Sequence, residues 1–143
     1  MSWLNKIFRK SRGSENLQEV VSNFNSKMDG MRKAGSVDGV HYTDSLEQIK
    51  QLKREGKNQE AIEALLRSVY ATESESKFAG EGWGVAPWYY EQLAILYRKE
   101  KLYHKEVEIL ERYASQPKAA GIGPEKLAAR LVKAKELLAK HGV

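Results

Sequence analysis

Catalysis and metal binding need particular side chains at particular spacings, and this chain offers few of them. Its three histidines, His41, His104 and His141, form no H-x3-H or E-x-x-H pair, the kind of spacing that sets two ligands on one helix face. Cysteine is absent, which excludes a disulfide framework, a thiolate zinc site and a cysteine nucleophile. The three aspartates all fall within the first 44 residues. Gly80-Glu-Gly-Trp-Gly84 is glycine-rich, but it lacks the Lys-Ser/Thr pair of a phosphate loop and follows a helical stretch rather than a strand. Glu106, Glu108 and Glu111 gather carboxylates among Lys105 and Arg112, so the expectation there is the solvated, ion-paired face of an amphipathic helix. No catalytic residue, metal or cofactor is assigned. Trp83 and Trp88 flank the glycine-rich stretch and Pro87, where they either pin a loop to the body or anchor a partner.

The elements that would carry these residues are helical. At 143 residues the chain has the length of one ordinary domain, and 30% charged residues with only 3 prolines is a helix-forming composition. No apolar run approaches the ~20 residues that span a bilayer. The opening dozen residues are too cationic, and too poor in apolar runs, for a signal peptide, so a cytoplasmic location is expected. The net charge of +5 is concentrated at the ends: residues 1–12 hold four bases and no acid, and residues 117–143 hold six bases against two acids. Basic ends suit acidic surfaces, whether phosphates, anionic lipid or protein.

Residues 1–12 form a basic amphipathic segment in which Trp3, Leu4, Ile7 and Phe8 share one side, a candidate membrane-interface face peripheral to the inner side of a membrane. Residues 14–37 comprise a helix to about Lys33, with Leu17, Val20, Val21, Phe24, Met28 and Met31 as its apolar stripe, and a linker, Ala34 to Gly39, that marks the boundary with a helical domain over 38–143. That domain reads as a helix to Glu55, a turn at Gly56–Asn58, and a helix from Gln59 to about Glu73–Lys77 burying Ala61, Ile62, Leu65, Leu66, Val69 and Tyr70. Further helices follow over Pro87–Lys99, Tyr103–Ala114 and Pro124–Lys140. Nothing alternates with a period of two for long enough to make a strand, so the fold class is all-α.

Tyr90-x2-Leu93-Ala94-x2-Tyr97, followed by Tyr103-x2-Glu106-x3-Leu110 and Pro117, resembles a tetratricopeptide repeat. Tyr90 stands for the family's tryptophan, Ala94 for its small glycine and Leu110 for its phenylalanine. Tyr90, Tyr97 and Tyr103 would then be core. Glu106 departs from the pattern, since the family places alanine there. A weaker first hairpin carries Gly56, Ala61 and Leu65, and the resemblance covers about residues 42–140. It implies antiparallel helix hairpins stacked as a short right-handed array with a C-terminal capping helix. It also implies a concave groove lined by the leading helix of each pair: Thr43, Leu46, Lys50, Lys53 and Arg54, then Trp88, Glu91, Ile95, Arg98 and Lys99.

Five cations in one trough suit an acidic, partly apolar partner, and they should repel one another in the free protein. The expected partner-binding residues are Lys50, Lys53, Arg54, Trp88, Arg98 and Lys99, with Trp83 beside them. The expected function is that of a non-catalytic scaffold or adaptor for a protein or peptide partner. The alternative is a peripheral membrane adaptor held by residues 1–12. Nucleic acid is not expected, because the basic residues are not interleaved with aromatics and no recognition motif is present.

Overall fold

The computed structural model describes residues 14–80 and 82–142, so the segment with Trp3, Leu4, Ile7 and Phe8 lies outside the described residues. The described chain is all-helical apart from one small hairpin. A long helix, α1 (Ser14–Ala34), leads into two-residue strands β1 (Ser36–Val37) and β2 (Val40–His41). A 3-10 turn over Tyr42–Ser45 then feeds α2 (Leu46–Arg54) and α3 (Asn58–Ala79). After a loop come α4 (Pro87–Lys99), α5 (Tyr103–Ala114) and α6 (Gly123–His141). Pro87 lies in the first turn of α4, where its missing N–H costs nothing, and Gly142 closes α6 in the left-handed region at φ 70°.

The stretch read as a linker is a tight hairpin. Ser36 pairs with His41 and Val37 with Val40 in an antiparallel ladder. Asp38 at φ 53° and Gly39 at φ 79° form the turn, and two successive positive φ values are what a two-residue type I′ turn requires.

Each helix packs on its neighbours in chain order from α2 to α6, α6 returns to α4, and α1 lies against α3. The core is built around α4, whose Tyr90, Leu93, Ala94 and Leu96 are buried against Ala61, Leu65 and Val69 of α3, Val107, Ile109, Leu110 and Tyr113 of α5, and Leu127 and Ala134 of α6. Ile49 of α2 is fully enclosed as well. Thr72 and Ser76 hold the loop before α4: the Thr72 hydroxyl accepts from the Ala86 amide at 3.0 Å, and the Ser76 hydroxyl donates to the Trp83 carbonyl at 2.6 Å.

Three expected stripes come out differently. Leu66 and Tyr70 are exposed, because α3 turns Ala61, Ile62, Leu65 and Val69 into the core and these two fall outside that stripe. On α1 only Met31 of the expected stripe is buried, since the helix touches the body through its C-terminal end. Tyr90 and Tyr97 are core, but Tyr103 is only half-buried and stacks on His141 with ring centroids 4.8 Å apart.

Leu93→Ala should therefore lower stability by about 2–5 kcal/mol in denaturant unfolding, the cost of a cavity in a closed core. Tyr70→Ala, on the open side of α3, should cost about 1 kcal/mol or less. Equal losses at the two positions would contradict the packing described.

Candidate functional site

The cations expected in the groove separate into two sets. Lys53 on α2 reaches α4, where its ammonium donates to the Gln92 side-chain oxygen. Burial, and secondarily the neighbouring Lys99 ammonium, hold the Lys53 pKa below the ordinary lysine value. Arg98 is also on α4, and α6 contributes Lys126 and Arg130. Lys126 pairs with Glu91 at 3.0 Å. The Arg130 pKa is lowered by burial and then by repulsion from Arg98. Lys53, with Lys99 beside it, Lys126 and Arg130 thus gather from α2, α4 and α6 about Glu91, while Arg98 and Arg130 meet the buried Glu106 beneath.

Lys50, Arg54 and Trp83 make their contacts elsewhere. Lys50 sits 3.7 Å from Glu47, one turn back on its own helix. Arg54 folds onto Gln51, donating from Nε at 3.1 Å and Nη2 at 2.8 Å. Trp83 is 45% exposed in the loop before α4. That loop is pinned by Val85, which is buried and donates its amide to the Pro117 carbonyl at 3.0 Å. Trp88 is half-buried and packs edge-on against Tyr89, ring centroids 5.1 Å apart.

Glu106 is the main correction. Instead of joining Glu108 and Glu111 on a solvated face, it is fully buried at the junction of α4, α5 and α6. Arg98 donates from Nε to both of its carboxylate oxygens, at 3.0 and 2.9 Å, and Arg130 approaches to 3.5 Å. Two guanidinium groups share one carboxylate, so the cluster carries an excess positive charge beneath the basic face. Arg98 is consequently an anchor as well as a surface cation: 29% of its side chain is exposed, and it is not one of a row of unpaired charges repelling each other. The departure from the repeat pattern at Glu106 was visible in the sequence, but nothing in the chain order shows that Arg98 and Arg130 meet it.

A second polar cluster, absent from the sequence reading, joins the hairpin to α3. His41 is buried, and its Nδ1 accepts from the Thr43 amide at 3.3 Å and from the Thr43 hydroxyl at 2.7 Å. The remaining proton is therefore on Nε2, which donates to Glu75 at 2.5 Å. The Tyr42 hydroxyl donates to the other Glu75 oxygen at 3.0 Å. A Thr–His–Glu chain has the order of a hydrolase relay, but Thr43 lies within the 3-10 turn that the His41 side chain caps, so the arrangement serves as a local clasp. Its only sequence trace is the lone His41 beside Asp38-Gly39.

Among the described residues, no three His, Asp or Glu side chains gather so as to hold a metal ion, and no helix is long and apolar enough to cross a membrane. No protein-family model matches the chain, and neither a curated protein nor a solved structure matches it.

Glu106→Ala should cost about 3–5 kcal/mol, since it leaves two partly buried guanidinium groups without their counter-charge. Arg98→Leu combined with Glu106→Leu should restore part of that loss, as replacing an ion pair by apolar groups often does. A single Glu106→Ala change without effect on the melting temperature would show that the carboxylate is solvated after all.

Proposed function

We propose that the protein is a non-catalytic interaction module of tetratricopeptide-like design that holds an acidic, partly apolar partner segment across the face formed by α2, α4 and α6. The observation that carries this reading is the gathering of Lys53, Lys99, Lys126 and Arg130 about Glu91, with Arg98 and Arg130 fixed on the buried Glu106 beneath them. Supporting it, each helix from α2 to α6 packs on the next and α6 also touches α4, as a capping helix over a second hairpin would. The half-buried Ile95 and Trp88 on the leading helix supply apolar contact beside the charge. A mostly desolvated guanidinium fixed by Glu106 needs no reordering when an acidic side chain arrives, which keeps the entropic cost of binding low.

The test uses a short fluorescent peptide of glutamates interspersed with leucines, with a lysine counterpart as control. The glutamate peptide alone should bind, and its affinity should fall as salt rises from low to physiological, because exposed charges are screened over about 8–10 Å. Lys53→Glu with Lys99→Glu should weaken binding by about tenfold or more, or about 1.4 kcal/mol. Neither residue holds the Glu106 cluster together, so melting should change little. Arg98→Glu is a poor choice for the same purpose: it sets a second carboxylate against buried Glu106 and should unfold the junction. Binding that ignores both salt and the double reversal would overturn the reading.

A further inference from the structure

From Val21 to Asp29 every residue of α1 is exposed, including Val21 at 49%, Phe24 at 60% and Met28 at 43%. Ser22, Asn23, Asn25, Ser26, Asp29 and Gly30 are all weak helix formers, and a helix of such residues does not persist in water unless something covers its apolar side. Among the described residues, the body covers the C-terminal end of α1: Met31 is buried, and Gly30 lies so close to the Phe78 ring that a Cβ there would collide with it.

Leu17, Val21, Phe24, Met28 and Met31 of α1 recur at alternating intervals of four and three, with Val20 beside them. That is the seam of a helix packing against another helix along its length, narrower than the face a globular core would take. With Met31 already enclosed by the body, the free seam runs from Leu17 to Met28. It is self-complementary about a two-fold axis between Ser22 and Asn23: Leu17 meets Met28 of a second copy and Val21 meets its Phe24. The flanking positions then pair Val20 with Lys27 and Gln18 with Asn25, and no like charges face each other. A parallel pair would instead set Lys27 beside Arg32 of the other copy, both cationic.

We infer that α1 is a homodimerisation helix, pairing antiparallel with α1 of a second copy through Leu17, Val21, Phe24 and Met28. The interface is isologous, so it closes at two chains and leaves the face of α2, α4 and α6 outside it. The inference does not rest on the partner-binding reading of that face.

Sedimentation of the full chain from about 1 µM to about 1 mM, a range bracketing weak to moderate affinities, should show mass moving from one chain to two. Phe24→Glu should return the protein to one chain at all those concentrations with its melting unchanged apart from the dimer's own contribution. Orientation is read by cysteine cross-linking, which the absence of natural cysteines makes clean. Leu17→Cys mixed with Met28→Cys should form a disulfide between chains, while either protein alone should not. A single-chain mass at every concentration would overturn the inference, as would a dimer indifferent to Phe24→Glu, or cross-linking of each cysteine variant with itself. Binding of anionic phosphatidylglycerol vesicles that is abolished by Phe24→Glu in a chain that stays monomeric would assign the seam to lipid and overturn it equally.

Discussion

A carboxylate removed from water must be met by matched charge or hydrogen-bond donors, and three such carboxylates tie this helical chain together. Glu73, Glu75 and Glu106 are 18%, 17% and 0% exposed at their side chains. Each takes two partners from elsewhere in the fold. Glu73 on α3 accepts from the Tyr90 hydroxyl of α4 at 2.6 Å and from Arg112 of α5 in two-pronged contact at 2.8 and 2.7 Å. Glu75 takes His41 and Tyr42, and Glu106 takes Arg98 and Arg130. Apolar packing supplies the bulk of the stabilisation, but it tolerates rotation of one helix against another. These contacts do not, because each is lost if either helix turns.

Glu73 and Glu75 show how one helix serves two directions. They are two residues apart on α3, about 200° around the axis, so they address opposite sides of it. Glu73 fixes α4 and α5, and it contributes, after burial, to pushing the Tyr90 pKa well above the ordinary tyrosine range, while the hydrogen bond to Glu73 is the leading cause of the raised Arg112 pKa. Glu75 fixes the hairpin and the end of α1 on the other side, where Gly35 leaves room that any Cβ would take from Glu75 and His41. Tyr89 adds a brace from α4, its hydroxyl donating to the Tyr42 carbonyl at 3.0 Å, and burial pushes its pKa up to about 12.

The helices were legible in the sequence because their punctuation is local. Pro87, the Gly56 turn and the stop before Pro117 act within a few residues, and the observed bounds of α3 to α6 follow them closely. The turn at Asp38-Gly39 is equally local, and between Val37 and Val40 it is a hairpin signal; glycine content alone made it read as a linker. What could not be read was the direction in which a helix faces when neighbours touch two of its sides. Leu66 and Tyr70 satisfy the same periodicity as Leu65 and Val69, and the positions of the neighbouring helices decide which pair is covered. Glu106 is the same problem in charge. Its spacing from Lys105 and Glu108 describes a wet face, whereas the residues that bury it lie 8 positions before it in Arg98 and on another helix in Arg130.

The cationic face and the buried carboxylate are one arrangement seen from two sides. If Glu106 were alanine, Arg98 and Arg130 would be drawn outward into water, and the face would carry long, mobile charges. Glu106 holds both guanidinium groups back at the helix junction while cancelling only one of their two charges. The uncancelled charge stays beneath a surface where burial, and after it repulsion from Lys99, lowers the Lys53 pKa. Positive charge is thereby fixed in place at the junction of α4, α5 and α6, and Glu106, where the resemblance implied alanine, is the residue that fixes it.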